Sequence, residues 1–545
     1  MRSLASLVGL SLLVYACGSD SSSDSEGPGG ATSGSVGGAI GTTGRVGPGA
    51  GGATVGSGGD VTGSGGDVTG SGGDGGFAGD VGTGGDGTGG EGTGGASTTD
   101  ITVQTTDVRQ IIRGFGINSA LMPGGVSFPV NEMFSTNGTN GIGFSILRVG
   151  MNSDGSLTGG YVSEARAQGA RIIGSTWSPP GNCKSDGTTD NGGYLLESCY
   201  ESWSDTIANF AQQQNLYAMS IANESDFASC PGVPVCTDAY DTTTYTANQM
   251  VAWVKVAGPK LRNVGVLVIA PEASEWLHVW STASATGSLV GSHPQSSDPL
   301  DCGCFSNTGD ETGCAQHCLD GDGYDYGHWL WADQTAWNSF DIMGVHEYDS
   351  QIAYAWPADV NGGVRDKEVW QTEMSGVMHW PEQGPSTDIN NGVAVARWIH
   401  SALTVGEASA WLYWWYEAYY QNDNEGLALT QGSSTIAKRY YTMGQFSKFM
   451  RPDQHVVGIT GDTPQDIMLV ASVGDDGTVV VVGVNESGSS QDLPITIAGG
   501  TAPTGMDVWR TDSGANIASQ AAVTVTGGTF TASLPAMSVT TFVSQ

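Results

Sequence analysis

The chain has 545 residues, 85 of them Gly, and a formal net charge of −36. That length suits two folded domains with additional material. The acidic balance excludes nucleic acid and anionic lipid surfaces as natural partners, since both recruit basic patches, and it fits a surface that meets neutral polymers.

The N-terminus reads as an export signal. Met1-Arg2 is charged, Leu4 to Leu13 is a short apolar run, and Ala16 puts a small residue before Cys17. This is the order of n-region, h-region and cleavage point in a signal peptide. The run is too short to span a bilayer. Ala16-Cys17 resembles a bacterial lipobox, which implies a lipoprotein-type signal over residues 1–17 and lipidation of Cys17. Residues 18–99 are Gly, Ser, Thr and Asp with near-repeats such as Gly59-Asp60-Val61-Thr62. Such sequence cannot bury enough surface to offset its ordering entropy and reads as a disordered tether, with a reach on the order of 50 Å. The repeats lack the bulky apolar position of calcium-binding nonapeptides. Gly18 in place of Asp after the anchor points to an outer-membrane or cell-surface lipoprotein of a bacterium, or to a secreted protein. The only membrane contact expected is the lipid at Cys17.

Folded sequence starts near Ile101. Strand-like runs follow at Ile111–Ile117, Phe144–Val149, Arg171–Trp177, Tyr217–Ala222, Val264–Ala270, Phe340–Val345, Glu368–Thr372 and Ala410–Trp415. Helical patterns lie between most of them, as at Val162–Gln168, Ser202–Gln213, Thr246–Leu261, Val393–Leu403 and Ala437–Phe449. Eight apolar strands alternating with helices predict an α/β fold, a parallel (β/α)8 barrel over residues 100–454. A doubly wound sheet is the rival; polar residues recurring after strand ends favour the barrel. From Val456 the helical pattern stops. Ile467–Val473, Thr478–Val484, Ile495–Ile497 and Val539–Val543 are separated by Gly, Asp and Asn turns, which predicts an antiparallel β-sandwich over residues 455–545. The strand-like Ile101–Val108 is expected to pair into it.

Apart from Cys17, eight Cys remain: Cys183, Cys199, Cys230, Cys236, Cys302, Cys304, Cys314 and Cys318. An even number in an exported chain reads as disulfides. Proximity favours Cys183–Cys199 and Cys230–Cys236, while the last four can pair in three ways. Export and non-standard spacing favour disulfides there over a zinc site with His317. These four lie in a long insertion, about residues 281–333, expected to shape one rim of the barrel.

Asn223-Glu224 ends the fourth strand and Trp370-Gln371-Thr372-Glu373 ends the seventh. Two carboxylates delivered by facing strand ends are what glycosidic bond hydrolysis needs: one to protonate a leaving oxygen, one to attack the sugar carbon. A lone Glu would be better read as a surface ion-pair residue; a matched pair at strand ends is not.

At this point the chain resembles glycoside hydrolase family 30. Gly114-Phe115-Gly116, Trp177-Ser178-Pro179-Pro180, Asn223-Glu224, Ala270-Pro271-Glu272, His346-x-Tyr348 and Trp370-x-Thr372-Glu373 match its motifs in order, with Ser225 where the family usually has Pro. Trp414-Trp415-Tyr416, Lys438-Arg439-Tyr440 and Phe446-Ser447-Lys448-Phe449 look most like its xylanase branch. The resemblance implies a retaining mechanism with Glu373 as nucleophile and Glu224 as acid/base. It implies that Asn223 bonds the sugar 2-hydroxyl, that Tyr348 orients Glu373, and that His346 and Arg148 support the carboxylates, with His346 as a core residue the even alternative. Trp177, Trp415 and Tyr416 follow strand ends, where flat rings can stack on sugars; strand alternation lets about half of such aromatics face a ligand. No metal and no organic cofactor is required, and a monomer is expected.

Xylanases of this branch that depend on glucuronic acid carry an Arg just after the Trp-Trp-Tyr motif. Here the sequence is Glu417-Ala418-Tyr419-Tyr420-Gln421, and a carboxylate beside Glu417 would be repelled. The leading expectation is therefore an endo-β-1,4-xylanase acting on xylan-like polysaccharide without strong glucuronate dependence. The alternatives are a family enzyme for a β-1,6-linked glucan or galactan, and a non-catalytic, surface-tethered glycan-binding protein.

Overall fold

The computed structural model describes residues 100–122, 128–190, 193–227, 240–280, 325–348, 353–376, 386–417, 424–429 and 435–545. Eight parallel strands close into a barrel. In chain order they are Gly114–Asn118, Ile146–Met151, Arg171–Thr176, Ala218–Ser220, Leu267–Ala273, Ile342–His346, Glu368–Glu373 and Ala408–Tyr413. Each pairs with its neighbour in sequence, and the first pairs with both the second and the eighth. The strands are nearly continuous apolar runs because helices cover the outside while side chains fill the inside.

The interior plug is Ile146, Ile173, Ala218, Ile269, Ile342, Trp370, Ala410 and Leu412. Trp370 stacks on Tyr217 with ring centroids 6.2 Å apart. Side chains two residues apart share a face of a strand. The alternation that packs Ile146, Ile173 and Ile342 inward therefore also aims Arg148, Ser175 and His346 into the barrel, nearer its C-terminal end. Bulky residues seal the lower barrel and polar ones are left at the top, where sites in this architecture lie.

The outer helices follow their sequence signals closely. Tyr200–Gln213 buries Trp203, Ile207, Phe210 and Ala211 at helical spacing. Ala247–Asn263 begins in a capping box, Thr246 accepting from the Gln249 amide and Gln249 returning to the Thr246 amide. Ile389–Thr404 is capped by Asp388.

One expectation needs correction. The run Ile111–Ile117 predicts a single strand, but Ile111 ends one strand and Gly114 starts another. The break is enforced at Gly114, whose φ is +137° and where a Cβ would sit 1.9 Å from Ser145 Oγ. Only Gly fits that bend. Arg113 locks it from outside, with Nη2 2.6 Å from Glu368 Oε1.

The preceding strand, Ile101–Ile111, does pair into the sandwich, antiparallel to His455–Thr460 and parallel to Gln491–Ala498. Nine strands there form one hydrogen-bonded ladder that folds over its own core, so that Phe530 and Phe542 meet at 5.3 Å. Helices Ile389–Thr404 and Lys438–Ser447 of the barrel dock on this sheet. Buried Gln445 donates to Thr511 Oγ1 at 2.9 Å and accepts from Thr541 Oγ1 at 2.6 Å.

Cys183 and Cys199 form a disulfide across a sequence separation of 16. The loop it closes is zipped to residues 240–246: Thr242 N donates to Thr189 O at 3.0 Å, Thr244 N to Gly193 O at 2.8 Å, and the Lys184 ammonium donates to Thr242 O. Replacing both Cys by Ser is expected to lower unfolding free energy by about 3 kcal/mol, measured by urea denaturation of the oxidised protein against the variant. Cys17, Cys230, Cys236, Cys302, Cys304, Cys314 and Cys318 lie outside the described residues, as do the proposed signal, the tether and most of the 281–333 insertion. No helix among the described residues is long and apolar enough to cross a membrane.

Candidate active site

The site is organised around a guanidinium. Arg148, on the second strand, is fully buried. Its Nη1 donates to Glu373 Oε2 at 2.6 Å; its Nη2 donates to Asn223 Oδ1 at 2.5 Å and to Glu272 Oε2 at 3.2 Å. One cation thus ties together the fourth, fifth and seventh strand ends. A buried charge is tolerable only with such partners.

Two irregularities aim the carboxylates inward. A register shift in the pairing of the sixth and seventh strands sets Glu373 beside His346. A second shift falls between Pro271 and Ala273, at Glu272. Extra residues of this kind re-aim side chains at barrel rims. Glu224 and Glu272 both adopt left-handed backbone, with φ of 45° and 55°. That is costly for a non-Gly residue and is held by the surroundings.

Glu224 and Glu373 then face each other across the barrel mouth. One carboxylate oxygen of each, with a ring nitrogen of His346, lie within 4.8 Å of one another. Tyr348 donates its hydroxyl to Glu373 Oε1 at 2.8 Å. His346 Nδ1 is 3.2 Å from Glu224 Oε1 and 3.8 Å from Glu373 Oε1. This trio could in geometry hold a cation, but Arg148 already supplies positive charge to the same Glu373 carboxylate.

The electrostatics divide the pair. Burial and then the Asp226 charge push Glu224 up to about 8. Burial raises Glu373 too, but His346, Arg148 and the Tyr348 hydroxyl pull it back. Glu373 stays above its usual range, burial outweighing these, but its direct donors, Arg148 Nη1 and the Tyr348 hydroxyl, favour its anion, whereas Glu224, pushed up to about 8, keeps its proton, a division that separates acid from nucleophile. Burial opposes ionisation of Glu272 as well, yet Arg148 and His346 outweigh it and hold this carboxylate below its usual range. His346 is driven toward the neutral form, chiefly by burial.

An aromatic chain leads outward. The Arg148 guanidinium lies 4.9 Å over the Trp177 ring. Trp177 meets Trp414 at 6.2 Å, and Trp414 stacks on Trp415 at 4.9 Å. Trp415 is fixed by its indole N–H donating to Ala120 O at 3.0 Å. Trp177, Trp414, Trp415 and Tyr240 form one cluster with Ala120.

Residues 455–542 match the glycosyl hydrolase family 30 beta sandwich domain. Over 467 residues the chain is 26% identical to the glucuronoxylanase XynC of Bacillus subtilis (strain 168), covering 82% of this chain and 92% of that protein. The structure is similar to the family 30 subfamily 8 xylanase Xyn30A of Clostridium acetobutylicum, with a TM-score of 0.62, 25% identity, and coverage of 82% and 99%. It is also similar to a family 30 endoxylanase of Clostridium papyrosolvens, with a TM-score of 0.60, 25% identity, and coverage of 82% and 100%. Together these likenesses support glycoside hydrolase family 30 and a glycosidase.

Within this glycosidase the structure brings Glu224, Glu373, Asn223, His346, Tyr348, Arg148 and Trp177 into one cluster, and Trp415 joins through Trp414. Tyr416 is elsewhere: it points into the packing outside the barrel, edge-on to Tyr440 at 6.1 Å. Alternation along the strand Trp415–Glu417 turns neighbouring rings to opposite sides. Sequence reasoning named Glu272 and Trp414 within motifs but gave them no role, and it passed over Ser175, Asp226 and Tyr240. Glu272 carried a signal, being a third Glu at the end of an apolar strand. Ser175 donates to it at 2.6 Å. Tyr240, whose hydroxyl acts on the Glu224 carboxyl, is separated from Glu224 by residues 228–239 and carried none.

Proposed function

We propose that this glycosidase is a retaining endo-β-1,4-xylanase that does not depend strongly on glucuronate, with Glu373 as nucleophile and Glu224 as acid/base. The observation that carries the mechanism is the approach of the two carboxylates within 4.8 Å. Retaining enzymes hold them about 5–5.5 Å apart, while inverting enzymes leave roughly 6.5–9.5 Å for a water.

In the first step Glu373 forms a bond to the anomeric carbon as the glycosidic C–O bond breaks, and the Glu224 proton passes to the leaving oxygen. In the second, water adds to the same carbon, its proton goes to Glu224, and the ester to Glu373 is released. Asn223, oriented by Arg148, bonds the 2-hydroxyl. Trp177 and Trp415 offer faces to flanking sugars.

The xylanase reading is supported by the relatives' activities and by the Trp414-Trp415-Tyr416 motif. Independence from glucuronate is supported by buried Glu417 in the stretch where an Arg would be needed. Initial rates on glucuronoxylan and on undecorated xylan are expected to agree within a few-fold, with a ladder of oligosaccharide products. A strong preference for the decorated polymer overturns the independence. Release of reducing sugar only from β-1,6-glucan or galactan overturns the linkage. Tethering through a lipid at Cys17 belongs to the same reading, and is tested by labelled fatty acid incorporation that Cys17→Ser abolishes.

A further inference from the structure

Asp226 stands two residues beyond Glu224 and is fully buried. Phe227 N donates to Glu224 O at 2.9 Å, so one closed turn carries both carboxylates. The peptide between them is fixed: Ser225 O accepts from Tyr245 N at 2.7 Å and from the Tyr326 hydroxyl at 2.9 Å. Three donors aim at the Asp226 oxygens. Ser274 N and Ser274 Oγ each lie at 2.8 Å, and His278 Nδ1 lies at 2.6 Å. Beyond His278, Glu275 Oε2 is 3.6 Å from Nε2.

The clamp ties the turn after the fourth strand to the loop after the fifth. An Asn could still accept from Ser274 N at a smaller desolvation cost, but it would turn its amide N–H toward Ser274 Oγ and His278, where Asp226 accepts with its second oxygen. Asp adds that second acceptor and a negative charge, set without freedom to swing away. We propose that Asp226, clamped by Ser274 and His278, is a positioning residue whose fixed negative charge acts on Glu224 and sets the alkaline limit of turnover. The inference rests on the reading of Glu224 as the acid/base.

Of the other groups facing Glu224, only Glu272 pushes the same way, and more weakly than Asp226. Arg148, from the second strand, favours its ionised form and opposes Asp226. Glu272 and Glu373, from the fifth and seventh strands, are each paired with that Arg148. His346 and Tyr348, from the sixth strand and its end, and Tyr240, from the segment ahead of helix Ala247–Asn263, carry no negative charge at neutral pH; burial disfavours ionisation in all three. A nearby anion disfavours loss of the proton, so Glu224 stays able to donate up to about pH 8.

The test uses the full chain as wild type, D226N and D226E. Profiles of kcat/KM against pH are recorded on polysaccharide and on an aryl glycoside with a dinitrophenolate leaving group, which departs without protonation. On polysaccharide, D226N is expected to move the alkaline limb down by about one pH unit, leaving the acid limb in place, and D226E is expected to restore it. On the aryl glycoside no such shift is expected. An unmoved limb, or the same shift on both substrates, overturns the proposal. A second measurement covers failure of D226N to fold: the protonated carboxyl infrared band of the wild type that E224Q lacks. That band is expected to persist to about pH 8, and its loss in the ordinary carboxylate range overturns the proposal. Absence of turnover on every substrate would instead reject the assigned activity, while the infrared titration of wild type against D226N still decides the role of Asp226.

Discussion

Glu373→Gln is expected to lower kcat on polysaccharide by roughly 10⁴-fold or more, because it removes the atom that forms the covalent intermediate. Glu224→Gln is expected to cost roughly 10²- to 10⁴-fold on the polymer, the usual range for general acid–base catalysis. The two losses differ in kind. With an activated aryl glycoside the first bond cleavage needs no acid, so Glu224→Ala forms the glycosyl-enzyme and azide captures it with retained configuration. Glu373→Ala has no such intermediate, and azide enters from the opposite face to give the inverted product. Nuclear magnetic resonance of the two glycosyl azides reads the roles directly. Retained product from both variants, or turnover unaffected in either, would reject the assignment.

Arg148→Met is expected to be the most destabilising single change in the barrel, by about 3–5 kcal/mol at neutral pH. It strands Glu272 and Glu373 as buried carboxylates without their cation, and leaves Asn223 Oδ1 without its donor. The pH dependence follows from the shift at Glu272. In the wild type its folded value lies below the unfolded one. Its contribution is therefore present above the unfolded value and lost as pH falls through the folded one. Without Arg148 burial dominates and the folded value rises above the unfolded one, so the variant is penalised more as pH increases. The gap between the two proteins should widen from about pH 4 to pH 7, as measured by urea unfolding at both. A gap that stays constant would mean that Arg148 acts through packing against Trp177 alone. Glu224 carries the opposite sign in the wild type: its raised folded value, about 8, makes its contribution greatest at low pH and lost as pH rises toward 8.

Much of this was readable from the chain because the relevant signals are local. The seven barrel strands after the first fall on their apolar runs, since a strand buried on both faces has few other ways to be written. The helix at Ala247–Asn263 starts where Thr246 and Gln249 form a capping box. Glu224 and Glu373 were visible because each closes such a strand. The first strand was misread because the bend at Gly114 depends on the distant Ser145, which no local pattern reports. Tyr416 was misplaced because a run of aromatics does not tell which alternate rings face the cleft. The roles of Glu272, Asp226 and Tyr240 went unread for a shared reason: they come from register shifts, a clamped turn and a distant segment that only the closed barrel brings to Glu224.

The place of Ile101–Ile111 in the second sheet has a consequence for biogenesis. This strand, first to leave the ribosome among the described residues, has its partners at His455–Thr460 and Gln491–Ala498, 344 to 394 positions downstream. Until those emerge it is an unpaired edge, the kind of surface that invites association with other chains, and pairing across so long a span is slow. The molecule should therefore reach its final state only once its last segment has been delivered, and nascent chains halted before residue 455 should be insoluble or chaperone-bound rather than active barrels.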